Sequence, residues 1–215
     1  MSQLDWVIFD LGAVLIDWNP RYVYRRETKG QAGGEEKIER FLKEIATGEW
    51  NAQMDAGIPF QTAIDQRVLQ FPEWKIWLQM WRDEWPTMLN DAIHETVAVF
   101  HEVVAHRRAG GLKGVIALSN WEAGTFKIAQ ARFPFLREFD ARLISGEERL
   151  IKPNPDFFKL LESRHGVNPK RAIFIDDLTK NTEVADSLGY HTHVFENAAR
   201  LRTDLQARGI LRENP

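Results

Sequence analysis

Five short apolar runs rich in β-formers constrain the fold of this chain more than any other feature. The first, Leu4-Asp5-Trp6-Val7-Ile8-Phe9-Asp10, ends on an acidic residue, and Gly12 follows in the turn. Similar runs lie at 114–118, 141–144, 172–175 and 192–195. Runs of this kind, bounded by turn signals, read as buried strands. The segments between the last four, at 122–132, 156–165 and 181–188, carry helical patterns. Strands alternating with helices predict an α/β fold with a doubly wound parallel sheet. The chemistry of such sheets gathers beyond the carboxyl ends of the strands. Asp10, Ser119 and Asp176-Asp177 fall there.

Between the first and second strands, residues 17–90 show no good strand. Helical patterns appear instead at 21–28, 35–46, 60–69 and 73–85. Asn19-Pro20 and Asn90-Asp91 suit the borders, since Asn caps a helix start and Pro fits its first turn. A helical insert directly after the first strand reads as a cap over the site. We therefore expect a core of residues 1–16 and 91–215, with a cap domain of residues 17–90. A long amphipathic helix at 92–109 resumes the core.

A length of 215 residues and a 44% hydrophobic fraction suit one globular domain carrying an insert. The 28 basic and 31 acidic side chains leave a formal charge of −3, which argues against nucleic-acid binding by bulk electrostatics. With no cysteine, disulfides, thiolate zinc sites and cysteine nucleophiles are excluded. No run approaches the roughly 18–20 apolar residues of a membrane helix, and Met1-Ser2-Gln3-Leu4-Asp5 does not read as a signal peptide. A soluble cytoplasmic protein is expected, with neither membrane nor nucleic acid as a partner. Its few serines form no Gly-x-Ser-x-Gly turn, which argues against a nucleophile-elbow hydrolase.

Four segments could carry chemistry. Asp10 ends a buried strand on a Gly-containing turn, placed either to attack an electrophile or hold a metal, or simply to cap the turn. Ser119-Asn120 suits an anionic oxygen, though for this segment by itself an ordinary helix N-cap is the plainer reading. In Lys152-Pro153-Asn154-Pro155, Pro153 restricts the backbone of Lys152 while Asn154 and Pro155 fit a helix start. The loop thus fixes where the ammonium leaves the chain; the plainer alternative is a solvated lysine. Asp176 and Asp177 repel each other unless a cation neutralises them. Together with Asp10 they suit Mg²⁺.

The ordered set Asp10, Ser119, Lys152 and Asp177 resembles the haloacid dehalogenase superfamily, over most of the chain. The Asp-Leu-Gly opening and the later Leu-Ser-Asn-Trp look like its sugar-phosphatase-like branch with a small helical (C1-type) cap. The resemblance implies that Asp10 is a nucleophile forming an aspartyl-phosphate. It implies Mg²⁺ on the Asp10 carboxylate, the Gly12 carbonyl and Asp177, with Asp176 as a further ligand or partner to a metal-bound water. Ser119 and the Asn120 backbone would hold the phosphoryl oxygens, and Lys152 would neutralise both Asp10 and a small phosphorylated substrate.

One position departs from the pattern. Phosphatases of the superfamily usually carry an acid two residues after the nucleophile, where this chain has Gly12. A general acid contributes about 10²–10⁴-fold. Its loss predicts a preference for good leaving groups such as sugar 1-phosphates or aryl phosphates, unless Asp17 donates the proton; a capping role fits Asp17 better. Two alternatives stand beside the phosphatase: a metal-independent 2-haloacid dehalogenase, and a phosphate- or partner-binding protein of weak activity. Trp74, Trp77, Trp81 and Trp85 form a helical stripe that reads as cap core, with an aromatic lid as the alternative. His94, His101, His191 and His193 have no metal-site spacing, and Arg21, Arg25 and Arg26 fit a solvated helix face.

Overall fold

The computed structural model describes residues 4–212. Its centre is a five-stranded sheet of β1 (Trp6–Phe9), β4 (Gly114–Ser119), β5 (Ala141–Ile144), β6 (Ala172–Asp176) and β7 (His191–Val194), in the order β5-β4-β1-β6-β7. Every pairing is parallel. The central strand is buried on both faces, and its side chains alternate between two cores. Val7 and Phe9 join Val115, Ala117, Ile173, Ile175 and Phe100 on one face. Ile8 joins Ile116, Leu118, Phe174, Phe157 and Phe158 on the other. The flanking helices are α7 (His94–Arg108), α8 (Ala123–Arg132), α9 (Ser145–Glu148), α10 (Pro155–His165), α11 (Thr179–Ser187) and α12 (Ala198–Ala207).

The insert leaves and re-enters through a two-stranded antiparallel ribbon of β2 (Ile16–Trp18) and β3 (Leu89–Ala92), where the sequence pattern indicated no strand. These strands have three and four residues and an irregular register, too little for an alternating signal. The insert itself comprises α1 (Arg21–Glu27), α2 (Gly34–Arg40) with a π-helical turn at Phe41–Ile45, α3 (Gly48–Asp55), α4 (Phe60–Gln70), α5 (Lys75–Asp83) and α6 (Trp85–Met88). Its core is aromatic. Tyr24 stacks on Trp77 at 4.8 Å, Phe41 meets Trp74 and Trp77, and Trp50 meets Trp81 edge-on. The tryptophan stripe therefore divides: Trp74, Trp77 and Trp81 pack the insert, while Trp85 lines a cavity and lies against Trp121.

The sequence pattern does not indicate helix α3. Only Trp50 and Met54 are buried in it, so its apolar periodicity is thin. Its start is fixed by Thr47, whose Oγ1 accepts the N–H of Trp50 at 3.2 Å. Helix α12 was also missed. No helix among the described residues is long and apolar enough to cross a membrane.

Candidate active site

Parallel register brings three strand ends to one level. Phe9 is aligned with Ala117 of β4 and with Ile175 of β6, so the residues beyond them, Asp10, Ser119 and Asp176, come together. Asp10 keeps its sheet bond, donating its N–H to the Ile175 carbonyl at 2.8 Å. Its Oδ1 accepts three bonds: from the Leu11 N–H at 2.7 Å, Ser119 Oγ at 2.8 Å and Lys152 Nζ at 2.9 Å. The donors converge on one oxygen of a side chain that lines the cavity.

Lys152 is only 2% exposed, so the solvated-lysine alternative does not hold. Its ammonium bridges Asp10 and, at 2.7 Å, Asp176 Oδ2. Burial alone would lower its pKa, but the two carboxylates outweigh burial and raise it. A buried charge survives only when paired in this way. Asn120 anchors the lysine from behind, and Asn154 caps α10 by accepting the Asp156 N–H at 2.9 Å.

Asp176 is fully buried and its acceptors are occupied. Oδ1 takes the Leu178 N–H at 2.8 Å and Asn181 Nδ2 at 2.9 Å, while Oδ2 takes Lys152. Asp177 is half-buried and lines the cavity. Burial, then the charge of Asp176, raises its pKa. The Asp10 carboxyl is pushed up to about 6, by burial first and by Asp176, against the pull of Lys152. Asp10, Asp176 and Asp177 each place one carboxylate oxygen within 4.8 Å of the others.

A cavity of about 240 Å³ lies over this cluster. The core contributes Asp10, Gly12, Asn120, Trp121, Lys152 and Asp177, and the insert contributes Asn51, Asp55, Phe60 and Trp85. Ser119 and Asp176 sit beneath the cavity wall and act on Asp10 and Lys152 from below. A Cβ built on Gly12 meets nothing within 4 Å, so this stretch of wall is open. Asp17 is not part of the site: its Oδ2 accepts from Tyr22 Oη at 2.7 Å and Asn90 Nδ2 at 2.9 Å. Nor does it cap α1, since Asn19 Oδ1 accepts the Arg21 N–H at 3.0 Å. Asn51 and Asp55 went unread because the helix that carries them was unread.

The remaining polar residues of note are engaged elsewhere. His193 bonds Asp204, His101 pairs with Glu138 and His94 with Asp91. Arg21, Arg25 and Arg26 pair with Glu39, Glu35 and Glu84 at the surface.

No protein-family model matches the chain. It is 25% identical over 202 residues to mouse (Mus musculus) acyl-CoA dehydrogenase family member 10, covering 94% of this chain but only 19% of that protein. It is 41% identical over 59 residues to flavin mononucleotide hydrolase 1 of Arabidopsis thaliana, covering 27% of this chain and 24% of that one. The chain thus spans less than a quarter of either relative. Among solved structures, a HAD family enzyme of Bacteroides thetaiotaomicron in complex with magnesium and inorganic phosphate superposes with a TM-score of 0.65 at 23% identity, over 92% of this chain and 98% of that one. L-2-haloacid dehalogenase of Xanthobacter autotrophicus with chloropropionic acid covalently bound superposes with a TM-score of 0.62 at 16% identity, over 95% and 83% of the two chains.

Proposed function

We propose, from the haloacid dehalogenase fold that the chain shares with these structures, that it is a Mg²⁺-dependent hydrolase of small phosphomonoesters acting through a phosphorylated Asp10. The observation that carries this reading is the buried Lys152 ammonium, 2.9 Å from Asp10 and 2.7 Å from Asp176, with Asp177 beside them at the cavity wall. A carboxylate approaching a phosphate dianion meets like-charge repulsion, which fixed cations at the point of attack offset.

The donor set fits Mg²⁺, a hard ion that takes a few carboxylates and keeps several waters. Asp10, the Gly12 carbonyl and Asp177 would hold it, with Asp176 behind them. When bound, it supplies charge neutralisation for the phosphoryl oxygens. Asp10 attacks phosphorus in line with the departing ester oxygen. Lys152 neutralises Asp10 and the transferring group. Ser119 orients Asp10 through its bond to Oδ1, and the Asn120 main chain at the cavity wall meets the phosphoryl oxygens. Residues 17–90 act as a cap domain that keeps bulk water from the intermediate. The aromatic wall of Phe60, Trp85 and Trp121 suits a sugar or similar small body.

The magnesium and phosphate bound to the Bacteroides enzyme support this reading, as does the hydrolase named in Arabidopsis. The bound chloropropionic acid of the Xanthobacter enzyme marks the rival chemistry. Against that rival, Asp176 and Asp177 would repel a haloacid carboxylate in a metal-free site. The test is a phosphate-release screen over sugar phosphates, with and without Mg²⁺, in the wild type and Asp10→Asn. Mg²⁺-dependent release that is lost in Asp10→Asn is expected. Halide release from 2-chloropropionate without Mg²⁺, or binding with no turnover, overturns the proposal.

A further inference from the structure

Gly12 leaves the reaction without a proton donor on the core side, and the cavity holds a group that can supply one. Five titratable side chains line it: Asp10, Asp55, Glu122, Lys152 and Asp177. Asp10 and Lys152 are paired with each other, and Asp177 belongs to the oxygen cluster. Glu122 caps α8, its Oε2 accepting the Thr125 N–H at 2.8 Å. Asp55 is the one that remains.

Asp55 is the last residue of α3, so the insert carries it. Asn51 Nδ2, one turn earlier, donates to Asp55 Oδ2 at 3.0 Å, and the carboxyl shares the cavity with Glu122 of the core. The side chain is therefore oriented by its own helix, facing the core across the cavity. We propose that Asp55 is the acid–base residue of this site, donating a proton to the leaving oxygen and then accepting one from the attacking water. The proposal rests on the phosphatase reading above.

The step balances. Asp10 Oδ2 bonds to phosphorus, the ester P–O bond breaks, and the departing oxygen takes the Asp55 proton, leaving neutral alcohol and an Asp55 carboxylate. Water then attacks the phosphorylated Asp10 and gives a proton to Asp55. The Asp10–phosphorus bond breaks, and hydrogen phosphate and both starting residues are restored.

The local charges agree with this role. Burial first, then Glu122 and Asp10, push the Asp55 carboxyl up to about 7, against the Glu122 N–H and the Lys152 ammonium. From the segment packed on α3, Arg149 also approaches this turn, its Cγ 3.4 Å from a Cβ built on Gly57, and α9 before it carries Glu147 and Glu148. An acid of this strength is part-protonated at neutral pH, as alternating donor and acceptor duty requires. The preference for good leaving groups inferred from Gly12 is then relieved, and phosphate esters of ordinary alcohols become substrates.

The test uses the Mg²⁺-loaded protein and two substrates of similar shape, 4-nitrophenyl phosphate and phenyl phosphate. The nitrophenolate departs without help, whereas the phenolate is poorer and gains from a proton. Asp55→Asn should lower kcat/KM on phenyl phosphate about 100-fold, the lower end of general-acid effects; kcat/KM reports departure of the leaving group and not the later hydrolysis common to both substrates. On 4-nitrophenyl phosphate the loss in kcat/KM should stay within about fivefold, while kcat falls on both substrates if hydrolysis of the intermediate limits turnover. Asp55→Glu should recover part of the phenyl phosphate rate. In the wild type, kcat/KM for phenyl phosphate should fall above about pH 7, a limb absent from Asp55→Asn and displaced in Asp55→Glu, which supplies the comparison if Asp55→Asn does not fold. Equal losses of kcat/KM on both substrates, or an unchanged limb, overturn the role of Asp55 alone. Absence of Mg²⁺-dependent release of phosphate from either substrate by the wild type overturns the phosphatase reading and this role with it.

Discussion

Asn120 and Lys152 hold each other by two main-chain hydrogen bonds: Asn120 Nδ2 donates to the Lys152 carbonyl at 2.9 Å, and the Lys152 N–H donates to Asn120 Oδ1 at 2.7 Å. One side chain thus satisfies both main-chain groups of the lysine and fixes where its ammonium points. The lysine's charge is useful only at that point, between Asp10 and Asp176.

Asn120→Ala leaves both main-chain groups without their partner. We expect a stability loss on the order of 2 kcal/mol in urea unfolding. We also expect at least a tenfold fall in kcat for phosphate release, because Lys152 loses its anchor. Wild-type kcat in this variant would show that the clamp does not position the lysine.

The raised Asp55 carboxyl makes stability depend on pH. The unfolded chain gives up this proton near the ordinary value of 3.8, while the folded chain keeps it to about 7. Between those values unfolding releases a proton, so this group's stabilising contribution is complete below pH 4 and is lost as the pH rises to 7. Asp55→Asn has no such loss. Its stability relative to wild type should climb across that window, by at most about 4 kcal/mol, and level off above it. Urea midpoints at pH 4, 5.5 and 7, without metal, measure this. A constant difference contradicts it.

Gly12 has room for a side chain. Gly12→Asp, placed in the Asp55→Asn background, should restore at least tenfold of the lost phenyl phosphate turnover, since a carboxyl there would return an acid to the core side. No gain would mean that the Asp55→Asn defect is not a missing proton donor.

Gly146 lets α9 approach the loop after β4. A Cβ there would lie 2.5 Å from the Ala123 nitrogen and 2.8 Å from the Trp121 carbonyl, both main-chain atoms that cannot swing aside. Ser145 Oγ accepts the Trp121 N–H at 2.8 Å in the same corner. Gly146→Ala should cost about 1–3 kcal/mol and quench or shift the fluorescence of Trp121. A variant as stable as wild type would contradict this packing.

What the sequence made legible follows from how each residue acts. Asp10 and the Asp176-Asp177 pair stand at ends of apolar runs, so strand pattern places them; the Pro-flanked loop left Lys152 open to a solvated reading, and the family resemblance supplied its role. Ser119 was readable as an oxygen ligand or a cap; the structure puts its hydroxyl on Asp10 at 2.8 Å. The Asn120 side chain was unreadable, because its partner is the main chain of a residue far along the chain. Asp55 was unreadable for another reason. It rides on a helix with only two buried apolar residues, and its environment is made by Glu122, Asp10 and Lys152, which folding alone brings near. The β2–β3 ribbon pairs residues more than 70 apart, a contact that local periodicity does not encode.

The most direct test of the account is to quench the Mg²⁺-loaded wild type with acid during turnover of 4-nitrophenyl phosphate and map the phosphoryl group by mass spectrometry. The account predicts an acid-trapped, hydroxylamine-labile phosphoryl group on the peptide containing Asp10, absent after chelation and in Asp10→Asn. Turnover with no phosphorylated peptide, or with the label on another residue, contradicts it.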